Sequence, residues 1–165
     1  MNFKKTMIAV AAQLLLVGGA YAQTCTPSAG TLIDNPASNL TVDTCASTNQ
    51  LASVCNGLTP IGNTSDTIFQ VQIGAGATGS IAVTPTGYDA YVALMQGTCT
   101  GGSTCLREED NAASGGAETV NAAGLAAGSY FMLITSFSPV APNCGPTSVV
   151  VTPTLPVTLQ NFSVN

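Results

Sequence analysis

Histidine and tryptophan are absent from this 165-residue chain, and lysine and arginine together number three. Without histidine the commonest general base is missing. Two of the three cations, Lys4 and Lys5, sit at the extreme N-terminus, so Arg107 stands alone against eight acidic residues in the remainder. Once the first 22 residues are removed, one positive charge faces eight negative ones, a formal net charge of −7. A surface of that sign cannot neutralise phosphates, which excludes nucleic acid as a partner and disfavours anionic membrane surfaces. Lysine is missing after position 5, so Ser–Lys and Schiff-base mechanisms fail. No Gly-x-Ser-x-Gly elbow occurs. A carboxylate pair remains as possible glycosidase chemistry, but aromatic residues make up only 5% of the chain and leave little surface to hold a sugar. These absences predict a protein that is not an enzyme.

One long hydrophobic run is present. After Lys4 and Lys5 comes Met7 to Val17, broken only by Gln13, and then Gly18-Gly19-Ala20-Tyr21-Ala22 ends in an Ala-x-Ala pattern. This is the layout of a helical secretory signal peptide over residues 1–22, cut after Ala22. It is too short for a comfortable membrane span, and no second such run follows. The remaining 143 residues suit one exported domain with a real core, placed outside the cytoplasm, periplasmic or extracellular, with no membrane span after cleavage.

Six cysteines follow the signal: Cys25, Cys45, Cys55, Cys99, Cys105 and Cys144. An even count in an exported chain reads as three disulfides, whereas the lack of histidine and of Cys-x-x-Cys disfavours zinc. Cys99 and Cys105 are close enough in sequence to close a small hairpin loop. Cys45–Cys55 is a plausible second local bridge, which leaves Cys25 with Cys144.

Residues 23–65 are rich in Thr, Ser, Asn, Pro and Gly and show no helical period; short strands are expected near Leu32-Ile33 and Leu40-Val42. From Asp66 the pattern alternates. Phe69, Val71 and Ile73 are separated by Gln70 and Gln72, the signature of a half-buried strand. Ile81 and Val83 carry a second strand that stops at Pro85. Ala90, Val92 and Leu94 share one face of a third. Residues 97–116, with five glycines, read as a loop. Further strands are expected over 117–120, 129–137 and 148–152. Short strands between glycine turns predict an all-β fold, a β-sandwich stapled by disulfides. In the tail, Leu155, Val157 and Leu159 alternate, followed by Phe162 and Val164, which reads as a further strand over residues 153–165.

Four segments resemble the bacterial pre-peptidase C-terminal domain family, in the order that family shows: Asp66-Thr67-Ile68-Phe69, Gly87-Tyr88-Asp89-Ala90-Tyr91-Val92-Ala93-Leu94, the Cys99/Cys105 loop followed by Glu109-Asp110, and Ala127-Gly128-Ser129-Tyr130-Phe131-Met132-Leu133-Ile134. The resemblance spans residues 66–152 and implies a jelly-roll-like sandwich used as a non-catalytic accessory or binding module, with calcium as the cofactor of some members. No protease domain precedes it, since residues 23–65 are too short to be one. Calcium would draw on oxygen ligands from Asp89, Glu109 and Asp110, with Glu108, Asp66 and Asp43 also near strand ends. The plainer reading makes the acidic run a solvated loop beside Arg107 and gives Asp89 a turn-capping role.

Together these readings predict an exported, non-catalytic binding or cell-surface module with a protein or glycan partner. Two alternatives stand beside it. One is a subunit of an extracellular filament or matrix, self-assembled by donation of strand 155–164 to a neighbour's open sheet edge. The other is a calcium-dependent accessory domain for a secreted enzyme.

Overall fold

A computed structural model describes residues 26–27, 31–33, 38–55, 59–60 and 64–152. The signal segment, Cys25 and the tail strand expected over 153–165 lie outside the described residues. The described chain is all-β, with eleven strands and one 3-10 turn (Thr44–Ala46). The strands are β1 (Thr31–Ile33), β2 (Ser38–Asp43), β3 (Ser53–Val54), β4 (Thr59–Pro60), β5 (Thr67–Ile73), β6 (Ser80–Pro85), β7 (Ala90–Gln96), β8 (Cys105–Glu109), β9 (Glu118–Asn121), β10 (Gly128–Ser136) and β11 (Pro146–Thr152). They form a five-stranded sheet in the order β1-β5-β10-β7-β8 and a four-stranded sheet in the order β2-β11-β6-β9, with β3 and β4 as a small ribbon. All pairings are antiparallel except β1 with β5. The expected disulfide-stapled sandwich is therefore the observed fold. No helix among the described residues is long and apolar enough to cross a membrane.

The alternation in the sequence sets which face each strand buries. Phe69, Val71 and Ile73 of β5 meet Tyr130, Met132 and Ile134 of β10, Val92 and Leu94 of β7, and Ile81, Val83, Val149 and Val151 of the opposite sheet. Each such side chain removed from water stabilises the fold by about 1.5–3 kcal/mol. A second cluster lies on the outer face of the larger sheet. Leu51, Val54 and Cys55 from the N-terminal segment cover Ile68, Tyr91, Ala93, Met95 and Leu133. This cover explains why β7 is buried at six consecutive positions, Ala90 to Met95: a strand with both faces shielded loses the polar half of its pattern.

The disulfides depart from the expected pairing. Cys45 is joined to Cys144, with Cα atoms 5.0 Å apart, and Cys55 to Cys105, with Cα atoms 4.9 Å apart. The expected bridges Cys99–Cys105, Cys45–Cys55 and Cys25–Cys144 are thereby corrected. Register, rather than closeness in sequence, decides the partners. β2 pairs with β11 so that Asp43 faces Pro146, which brings the following Cys45 against the preceding Cys144. Cys105 opens β8 opposite Met95, under the outer cluster where Cys55 is buried. Cys99 is also disulfide-bonded, so no described cysteine is free; Cys25 is the one cysteine of the sequence left over.

The loop expected over 97–116 is a second correction, because β8 lies inside it. Its residues Cys-Leu-Arg-Glu-Glu are half-exposed and charged, so the strand owes its conformation to pairing with β7.

Candidate functional site

One end of the sandwich gathers negative charge. The turn before β7, the loop between β8 and β9 and the loop between β10 and β11 all meet there. Gly115 N–H donates to the Tyr88 carbonyl at 3.0 Å, and Phe137 N–H donates to the Asp89 carbonyl at 3.0 Å. The β8–β9 loop turns tightly. Gly115 has φ +80°, and a Cβ on Gly116 would lie 2.9 Å from the Ala113 carbonyl oxygen. These two glycines allow the loop to fold back over Glu118.

Glu118 is 1% exposed at the start of β9, and its carboxylate holds the loop from below. Its Oε2 accepts from Asn111 N–H at 2.9 Å and its Oε1 from Ala112 N–H at 2.8 Å. Glu118 thus anchors the loop that carries Asp110. Nothing in its neighbourhood along the chain marks it for this role.

Asp110 is exposed, and its pKa is raised, by burial first and then by the charges of Asp89 and Glu118. Asp110 thus feels the charges of both Asp89 and Glu118. Asp89 has a buried Oδ1 with no hydrogen-bond partner, so that oxygen does not cap the turn. Glu109, at the end of β8, instead takes a 2.8 Å hydrogen bond from the Asn111 side chain. Of the expected calcium trio, the fold brings Asp89 and Asp110 together, adds Glu118, and turns Glu109 to its own partner. Asp66 binds the backbone through one carboxylate oxygen, while its buried Oδ1, like that of Asp89, has no hydrogen-bond partner. It is fully buried, and its Oδ2 accepts from Gln50 N–H at 2.7 Å and Leu51 N–H at 2.6 Å. Burial pushes its pKa up against the pull of those two N–H groups and, more weakly, of the Thr135 hydroxyl.

Among the described residues no cation offsets this end. Arg107, the one cation among the described residues, donates to the carbonyls of Leu106, Asn121 and Ala123. Asn121 and Ala123 follow β9 away from Glu118, so the guanidinium is held toward the opposite end. Among the described residues, one set of three metal-type ligand atoms lies within 4.8 Å of one another: Cys55, Cys105 and Glu108. Two of these are the disulfide, which makes that set a poor ligand. Beside it the Tyr91 hydroxyl donates to Glu108 Oε2 at 2.8 Å and lies 3.2 Å from Cys55 Sγ. Tyr88 is buried too, with its hydroxyl 2.7 Å from Thr147 Oγ1. Neither tyrosine offers a face to a sugar.

No family profile matches the sequence, and no curated protein matches it. Among solved structures, the chain is similar to the pre-peptidase C-terminal domain of a collagenase from Bacillus anthracis. The identity is 11% and the TM-score 0.44, covering 76% of this chain and 96% of that one.

Proposed function

We propose that this protein is an exported, non-catalytic β-sandwich module that binds through its acidic end, with calcium as the cation of that end. The observation that carries the reading is the buried Asp89 oxygen with no hydrogen-bond partner, at the end where the Asp110 loop is tied to Glu118 and, through Gly115, to Tyr88, with no cation beside it among the described residues. A buried carboxylate oxygen with no partner is costly unless something satisfies it. The donors on offer are all oxygens, which suits a hard cation. Asp89 and Asp110 would hold the ion directly, while Glu118 keeps the Asp110 loop in place through its two backbone bonds. The disulfides fit an oxidising compartment, in keeping with the export signal read in residues 1–22.

Differential scanning calorimetry of residues 23–165 in calcium and in a chelator tests this. Calcium raises the melting temperature of the wild type and has little effect on Asp110→Asn. Superimposable melts of the wild type in the two conditions would overturn the calcium reading.

A further inference from the structure

Among the described residues, the exposed large apolar side chains are Phe137, at 51%, and Val140, at 72%. Both belong to the single loop between β10 and β11. Exposed apolar groups scattered singly mean little; two on one loop, where the other large apolar side chains among the described residues are buried or half-buried, form a local feature.

The loop holds them in place. Phe137 N–H bonds to the Asp89 carbonyl, Ser136 Oγ donates to the Ser138 carbonyl at 2.8 Å, and Val140 N–H donates to Ser138 Oγ at 3.2 Å. The Asn143 side chain donates to the Pro139 carbonyl at 3.2 Å. The far end is fixed by the Cys45–Cys144 bridge and by Gly145 N–H on Thr44 Oγ1 at 2.9 Å. A side chain displayed on a fixed loop loses less entropy on binding than one on a mobile loop.

The surroundings say what would bind. Phe137 is hydrogen-bonded through its backbone to Asp89, and the loop that carries Asp110 is bonded to Glu118 and, through Gly115, to Tyr88 next to Asp89. Asp43, exposed at the end of β2, faces Pro146, whose carbonyl accepts from Thr86 N–H, and so lies at the same end. The rim is acidic, and Arg107 is committed elsewhere. A second copy presenting this end would meet like charge, and an anionic membrane would be repelled.

We propose that Phe137 and Val140 are the apolar anchor of a docking surface for a basic segment of a partner protein that also carries an apolar side chain, with Asp43 and, when no calcium neutralises them, Asp89 and Asp110 as its acidic rim. This rests on the binding-module reading above and names the partner of the same end. An aromatic side chain ringed by charges that steer and orient is the usual build of a binding hot spot.

Fluorescence anisotropy tests it with three short synthetic peptides: alternating lysine and leucine, alternating lysine and serine, and alternating glutamate and leucine. Each is titrated with residues 23–165 in calcium and in chelator. The lysine–leucine peptide binds, raised salt weakens it, and Phe137→Ser weakens it about tenfold or more. Val140→Ser weakens it in the same direction, and both variants keep the wild-type melting temperature because the side chains are exposed. The other two peptides bind much more weakly. The proposal is overturned if no peptide binds, if the glutamate–leucine peptide binds equally, or if Phe137→Ser binds like the wild type. It is also overturned if Phe137→Ser changes only the sedimentation of the protein, which would make the occupant a second copy. Phe137-dependent binding without a calcium effect on melting would remove the calcium reading and leave the docking surface. The reverse result would do the opposite.

Discussion

Replacing Asp66 separates two roles that its carboxylate plays at once. Its Oδ2 holds the N–H groups of Gln50 and Leu51, which lead into the segment that covers the outer face of the larger sheet. Asp66→Ala leaves both donors without an acceptor in a buried site. Each orphan costs about 1–3 kcal/mol, and removing a buried carboxylate returns part of its desolvation penalty, so the expected loss is about 2–4 kcal/mol. Asp66→Asn keeps an oxygen for the two N–H groups and removes the titration; at neutral pH it stays within about 1 kcal/mol of the wild type. The pH dependence then reports the charge. Burial raises the folded pKa of Asp66, and burial with neighbouring carboxylates raises that of Asp110. The folded state therefore binds these protons more tightly than the unfolded chain does. Their contribution is fully present below the ordinary aspartate value and is lost as pH rises through the folded values. Wild-type stability rises as pH falls from 7 toward about 4, and Asp66→Asn flattens that rise. Urea unfolding followed by far-ultraviolet circular dichroism, with disulfides intact, measures both effects. An Asp66→Ala loss below about 0.5 kcal/mol would refute the anchoring argument. A wild-type stability that falls between pH 7 and 5, in parallel with Asp66→Asn, would refute the charge argument.

Two further predictions follow from the bridges and from Glu118. Peptide mapping of the oxidised protein yields Cys45 linked to Cys144 and Cys55 linked to Cys105; recovery of a Cys99–Cys105 peptide would contradict the strand register. Chain entropy assigns about 4.7 kcal/mol to closing the Cys45–Cys144 loop, whose ends are 99 residues apart, and about 4.1 kcal/mol to the Cys55–Cys105 loop of 50. Denaturant unfolding of the paired Cys→Ser variants checks that both losses are large. Glu118→Ala frees the N–H groups of Asn111 and Ala112 and costs about 2–4 kcal/mol. Hydrogen exchange reads it directly, as faster exchange at those two amides, while Glu118→Gln retains most of the protection.

Strands with one shielded face were legible in the sequence, because β5, β10 and β11 write period two into their residues. The bridges were not legible, since a cysteine's partner is set by which strands lie side by side. β8 escaped notice for a related reason: its charged residues carry no alternation, and β7 supplies the geometry. At the acidic end, Asp89 and Asp110 were marked by their place beside a strand start and a glycine-rich loop. Glu118 was not, because its role comes from two backbone donors six and seven positions earlier that fold back onto it. Phe137 read as the last residue of a strand, and only the path of the following loop exposes it.

The Cys45–Cys144 bridge also sets how this protein responds to being pulled. Tension applied to the chain before Cys45 and after Cys144 passes across the sulfur–sulfur bond. The loop it encloses holds four of the five strands of the larger sheet and two of the four of the smaller, with β2 and β11 outside it. At about 3.4 Å per extended residue, roughly 340 Å of contour stays locked while the bond is intact. Pulled from its two ends, the protein would therefore lose β2 and β11 first and keep the enclosed strands folded, and cutting Cys45–Cys144 would still leave the segment between Cys55 and Cys105 closed by its own bridge.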